Sequence, residues 1–305
     1  MNITMILLRQ VLIMLLLAGV GCIMFRTGKI TTEGSRCLGN ILIWLSLPSV
    51  IINSFLTRRS PALLTGLLVS ATAAAVLLAL SIMLSRAFFR KDPVACFASS
   101  FSNPGFFGIP LIVASLEDGA VFYVAAFIAF LNLLQWTYGV SLLTGKSTSL
   151  KPSALLKTPF FAAILAGLFF FLTGLPMPGI LSQSIGFLAN LNTPLAMFVT
   201  GVYLAQTDLK KMLLRPGLYL ICAVRLLLVP LLCIPALSLI PGTWNVLKMA
   251  VLISAACPVG TNVAVYAHLH GKDYPYAVET VVMSTLFSIL TIPLIVHLAG
   301  MAWSL

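Results

Sequence analysis

The chain is a succession of apolar runs joined by short loops. Ten stretches, at about 5–25, 37–56, 62–85, 94–116, 120–144, 158–176, 180–205, 216–240, 245–268 and 275–299, are each long enough to cross a bilayer as a helix. Only 8% of the 305 residues are charged and 60% are hydrophobic, against about 25% charged in a soluble domain. Too few polar side chains exist to clothe a soluble fold, so the sequence predicts an all-α membrane protein. The longest loop, Gly145 to Lys157, is too short for a soluble domain. Any chemistry therefore lies inside the membrane.

The net charge of +11 does not point to nucleic acid, because the basic residues are spread over the loops rather than gathered on a face. They read as topology signals. Loops after the odd-numbered runs hold thirteen: Arg26, Lys29, Arg36, Arg86, Arg90, Lys91, Lys146, Lys151, Lys157, Lys210, Lys211, Arg215 and Lys272. The opposite side has four: Arg9, Arg58, Arg59 and Lys248. This bias places the odd loops in the cytoplasm and both termini outside a cytoplasmic membrane. Arg9 leads into the first of many apolar runs, so an uncleaved span is expected there despite Gly21-Cys22, a faint lipoprotein cleavage pattern. The six cysteines form no C-x-x-C pair and read as small buried hydrophobes.

Two runs are interrupted. Run 4 contains Asn103-Pro104-Gly105-Phe106-Phe107-Gly108-Ile109-Pro110, and run 9 contains Cys257-Pro258-Val259-Gly260-Thr261-Asn262. Proline lacks the backbone donor and clashes with the preceding turn, and glycine admits open backbone conformations. Irregular backbone survives at membrane depth only inside protein or beside a water-filled cavity. Each run is expected to split into two half-helices, with bare amides and a positive dipole end suited to an anion. Two kinked helices whose asparagines satisfy freed carbonyls are the plainer alternative. Pro48 matches Pro194 at 146 residues, Pro104 matches Pro258 at 154, and Asp118 matches Asp273 at 155. The chain then reads as two five-span repeats, 1–145 and 158–305, joined by a cytoplasmic linker at 146–157. Five is odd, so the second repeat is inverted, and broken helices 4 and 9 meet near the midplane. The candidate site is Asn103, Pro104, Gly105 and Gly108 with Pro258, Gly260, Thr261 and Asn262.

These two segments resemble the crossover motifs of the auxin efflux carrier family of permeases, within the bile acid, arsenite and riboflavin transporter superfamily. Arg225-Leu226-Leu227-Leu228-Val229-Pro230 and the stretch from Ser284 to Pro293 are similar to the same family. The resemblance spans nearly the whole chain and implies ten transmembrane helices in two inverted repeats. It also implies a scaffold of spans 1, 2, 6 and 7, and a transport core of spans 3–5 and 8–10. Bacterial members are similar to permeases for malate, malonate and other carboxylates, and plant members export auxin. The resemblance carries Asn103, Pro104, Gly108, Pro258 and Asn262 into the substrate site. It adds Asn132, four residues before Trp136, and homodimerisation through the scaffold. Cys257 stands where many relatives have a polar or small residue, which bears on substrate choice.

Membrane-embedded charge is a functional hypothesis by default. Glu279 is a candidate for carrying a coupling proton, or else an interfacial carboxylate at a helix start. Arg225, deep in span 8, is expected to pair with Glu279, to attract the anion, or to hold backbone carbonyls. Lys248 is expected as an interface anchor, His268 and His297 as structural histidines, and Asp118 and Asp273 as helix-start charges. Asn192 and Ser46 are expected to face a cleft between the two units. An enzyme is disfavoured: there is no H-E-x-x-H or G-x-S-x-G, and seven acidic residues leave little to pair. An anion channel is a further alternative. No cofactor is implied, no P-loop is present, and coupling to protons, sodium or membrane potential stays open. The expectation is a secondary transporter in which a small organic anion docks at the crossover and the core moves against the scaffold.

Overall fold

The computed structural model describes residues 3–57, 60–116, 119–146 and 158–304. Arg58, Arg59, Asp118, Lys151, Lys157 and all of the 146–157 linker but Lys146 lie outside the described residues. The chain is helical, and no strand occurs among the described residues. Among the described residues, seven helices are long and apolar enough to span a membrane: α1 (Ile3–Arg26), α2 (Thr32–Phe55), α3 (Pro61–Phe89), α6 (Ala120–Thr144), α8 (Gly179–Gln206), α10 (Pro216–Ser238) and α13 (Tyr274–Trp303). Shorter helices lie between them: α4 (Pro93–Ser100), α5 (Pro104–Ser115), α7 (Pro159–Thr173), α9 (Leu209–Leu213), α11 (Asn245–Ala256) and α12 (Asn262–Leu269). Run 4 is thus α4 plus α5, and run 9 is α11 plus α12.

Proline breaks some helices and only widens others. Pro48, Pro110 and Pro230 each follow a π-helical turn, at Leu42–Ser46, Pro104–Gly108 and Val224–Leu228. The five-residue turn adds room ahead of a ring that would otherwise strike the previous turn. Thus α2 and α10 stay continuous through their prolines.

Two packed groups position the site. In one, α1 lies along the second half of α8, and α7 lies along α2. A Cβ on Gly21 would stand 2.6 Å from the Phe198 carbonyl oxygen, and one on Gly201 would overlap the Ala18 carbonyl. Backbone therefore meets backbone, the close approach that small residues permit in lipid. In the other group, α3 packs on α4 and α6, α10 on α11 and α13, α6 on α11, and α4 on α13. Half-helices α4 and α11 are protein-enclosed: Val94–Ser100 and Leu247–Ala256 are buried at every residue. The first half of α8, by contrast, buries none of its residues.

Contacts sort the ends of the molecule. Arg215, Glu279, Tyr276 and Asp92 share one end, with Tyr274 bonded to Gln206. At the other end Lys248 is buried and sets Nζ 4.7 Å from the Trp303 ring, while Trp303 donates to Ser238.

Candidate functional site

The sequence stops four helices at one place. α4 and α11 end there with Ser100 and Ala256, and α5 and α12 begin there with Pro104 and Asn262. Between them the two extended linkers cross, with Ser102 and Val259 paired as an antiparallel bridge and the Gly260 amide donating to the Phe101 carbonyl at 3.0 Å. A Cβ on Gly260 would sit 2.8 Å from the Ser102 carbonyl oxygen, so only glycine lets the chains cross this closely. The Val259 amide donates to Ser284 Oγ at 3.0 Å, fastening the second linker to α13.

The carbonyl ends of α4 and α11 are negative dipole ends buried in protein. Arg225 serves both. Its guanidinium donates to the Ser99 and Ser100 carbonyls at 3.2 Å each, to Ser81 Oγ at 3.0 Å, and to the Ala255 carbonyl. It is 1% exposed. Of the three uses weighed from sequence, the pairing with Glu279 is corrected: Glu279 Oε2 accepts from Arg215 Nη1 at 2.8 Å. Arg215 is half-exposed at the end of the molecule and meets the buried Glu279 there, whereas Arg225 has helix-end carbonyls and the Ser81 hydroxyl in reach.

The amide ends of α5 and α12 close the site from the other direction. The Phe107 and Gly108 amides donate to the Asn103 carbonyl at 3.1 Å, the Phe106 amide to Asn103 Oδ1 at 3.3 Å, and the Val263 amide to the Gly260 carbonyl at 3.1 Å. The expectation of bare amides is therefore corrected for Phe106, Phe107 and Gly108, which the asparagine cap and the π turn of α5 consume; α12 has no side-chain cap. The side-chain amides remain. Asn103 spends Oδ1 on its cap and keeps Nδ2. Asn132 donates Nδ2 to the Ile128 carbonyl at 2.8 Å and keeps Oδ1. Asn262 donates Nδ2 to Gln135 Oε1 at 2.8 Å.

These groups surround a cavity of about 40 Å³, lined by Ser102, Asn103, Pro104, Gly105, Asn132, Gly260, Thr261 and Asn262 together with Leu47, Phe106, Ile128, Leu131 and Gln135. Gly108 and Pro258 lie outside its lining. Gly108 is packing instead: a Cβ there would stand 3.0 Å from Cys257 Sγ. Gln135 was not singled out from the sequence. Its signal was there, three residues after Asn132 on the same helical face.

A second cavity, of about 590 Å³, adjoins the first through Phe106, Thr261 and Asn262, which line both. Its walls come from α2 (Thr32, Ser35, Arg36), α8 (Val199, Tyr203, Gln206), α12 (Val265, His268) and Tyr274. His268 packs edge-on against Tyr274, with ring centroids 5.5 Å apart. Across the seam between the two packed groups, Asn192 of α8 donates Nδ2 to the Gly105 carbonyl at 2.9 Å.

Comparison with known proteins agrees with this architecture. Residues 6–296 match the family described as "Membrane transport protein". The chain is 26% identical, over 283 residues and 87% of each chain, to a protein of Rhizobium meliloti (strain 1021) described as "Putative malonate transporter". These matches set it among transport proteins rather than enzymes. With a match running from the first helix into the last, the chain belongs to the membrane transport protein family, that of the auxin efflux carriers.

Proposed function

We propose that the protein is a secondary transporter that moves a small organic anion, a carboxylate of the malonate or malate kind, by alternating access at the crossing of the two interrupted segments. The observation that carries this reading is the pairing of a buried, amide-lined cavity with a wide vestibule beside it. A water needs about 10–15 Å³ of such space, so 40 Å³ admits a few waters or one carboxylate group but not a dicarboxylate. The carboxylate head enters the inner cavity and the rest of the anion stays in the vestibule. Two helix amide ends and the charge of Arg225 behind the crossing supply the positive potential.

Pairings between helices support two inverted repeats within a ten-span topology. The partners α1–α8, α3–α4, α3–α6 and α4–α13 correspond, when the halves are exchanged, to α7–α2, α10–α11, α10–α13 and α11–α6, and every one of these pairs packs together. The group of α1, α2, α7 and α8 is the scaffold, and the remainder is the core. Lys and Arg counts favour a vestibule on the cytoplasmic side and both termini outside the cytoplasmic membrane. The unburied first half of α8, with Ile180 82% and Phe187 75% exposed, faces lipid or a second copy in a scaffold dimer. Any proton coupling would act at Glu279. Uptake by Glu279→Gln with unaltered pH dependence removes that role.

The test is thermal stabilisation of the purified protein by malonate, malate and indole-3-acetate, followed by counterflow in proteoliposomes. Saturable exchange accelerated by substrate on the far side is expected. Flux that never saturates would make the protein a channel, and neither stabilisation nor flux with any of the three would overturn the reading.

A further inference from the structure

Buried polar atoms without partners are few in folded proteins and call for an explanation. Two of them among the described residues line the inner cavity: Gln135 Nε2 and Ser102 Oγ. Gln135 is fully buried, in the middle of helix α6. An amide nitrogen at this depth has neither lipid nor bulk water to bond, and leaving it unpaired is costly. Its other end is committed, since Oε1 accepts from Asn262 Nδ2 at 2.8 Å. Gly260 packs beside it: a Cβ there would lie 3.5 Å from Gln135 Nε2.

We propose that Gln135 is a substrate-contacting residue: Nε2 donates a hydrogen bond to an oxygen of the bound carboxylate, while Oε1 holds Asn262 at the wall of the same cavity. Resting on the transporter reading above, this names a determinant of affinity within it. The cavity contains no charged side chain, so its contacts with the anion are made by neutral amides and hydroxyls. A donor spent on an ionised oxygen is stronger than one spent on a neutral group. Asn103 Nδ2 and Gln135 Nε2 are then donors from two different segments, the first crossing and α6, and together they fix the orientation of the head group. Asn132, also on α6, supplies an acceptor, suited to a hydroxyl or a bridging water rather than to the ionised oxygens.

The test is malonate counterflow in proteoliposomes of the full chain, with KM and turnover measured for the parent, Gln135→Met, Asn262→Ala and the double variant. Removal of a hydrogen bond to an ion predicts a KM about tenfold higher or more in Gln135→Met, with the melting temperature of the unliganded protein little changed. A further rise is also expected on the Asn262→Ala background, because the Nε2 contact to substrate does not run through Asn262, although its size need not equal that in the parent, the two side chains being bonded to each other. A KM within twofold of the parent, or no further rise on the Asn262→Ala background, overturns the proposal; the second result would mean that Gln135 acts only through Asn262. Should Gln135→Met not fold, Gln135→Glu keeps the shape and the acceptor for Asn262 while replacing the donor by a carboxyl. Parent-like malonate binding by it overturns the proposal, and loss of binding with a retained fold supports it. A parent that neither binds nor exchanges any of the three carboxylates overturns the transport reading and this proposal together. A parent that exchanges them beside an indifferent Gln135→Met overturns this proposal alone.

Discussion

The two interruptions are fastened differently. The first, between α4 and α5, caps itself: Asn103 bonds the following turn through both its side chain and its carbonyl, and the Gly105 carbonyl, two residues on, is held from across the seam by Asn192. The second, between α11 and α12, is tied to its own packed group, through Val259 to Ser284 of α13 and through Asn262 to Gln135 of α6. Among the side chains of the described residues, Arg225 is the one that grips both, at the carbonyl ends of α4 and α11. The lesson is a division of labour. The second crossing is built into its own packed group, while the first is the one in contact with the opposing group, and a buried cation reinforces the bridge that joins the two.

That contrast can be broken at three depths. The largest effect is expected from Arg225→Leu. It removes the side chain that ties both helix ends and leaves the buried Ser99 and Ala255 carbonyls without their cation, each an orphan of about 1–3 kcal/mol, while Ser81 Oγ and the Ser100 carbonyl keep their 2.8 Å bond to each other. A stability loss of at least about 2 kcal/mol by these magnitudes, with no exchange activity, is the expectation in thermal melts and uptake assays. A variant that melts like the parent would show that the crossings hold each other without the clasp.

Next comes Gly260→Ala. The new methyl meets a backbone oxygen at 2.8 Å, which cannot step aside, whereas in Gly108→Ala it meets the movable Cys257 Sγ at 3.0 Å. Overpacking of this kind costs about 1–3 kcal/mol. Gly260→Ala is expected at the upper end, with exchange reduced at least tenfold, and Gly108→Ala at the lower end. Equal losses in the same assay would mean that the bridge, not the second linker alone, is the tight element.

Asn192→Ala is the mildest. It removes one hydrogen bond across the seam, worth about 1 kcal/mol, and should change turnover while leaving KM within about twofold, a difference that small in binding energy being under 0.5 kcal/mol. A KM shift without a change in turnover would move Asn192 from the seam into the binding site.

The membrane class and the two interruptions were readable because apolar run length and the proline–glycine clusters are local properties of the sequence. Asn103 and Asn262 followed from their places beside the breakers. Gln135 did not: it lies inside an apolar run beside Trp136, and only the turn of α6 shows that it faces the same cavity as Asn132. The partner of Glu279 was hidden for another reason. Arg215 is 64 residues away, and sequence offers no means of choosing among basic residues near span ends. Arg225 was flagged by its depth, but three of its four partners are main-chain oxygens, which every residue carries and none advertises. The amides at the start of α5 were expected to be free because a broken helix usually leaves them so, and the π turn that consumes them has no sequence signature beyond the proline two residues later.

The disparity between a 40 Å³ recess and a 590 Å³ antechamber has an evolutionary corollary. A recess that grips only a molecule's acidic tip is indifferent to what trails behind it. Taste for short diacids or for bulky aromatic acids would then be written in Arg36, Tyr203 and His268, far from the delicate crossing, so a lineage can change its diet without rebuilding its machinery.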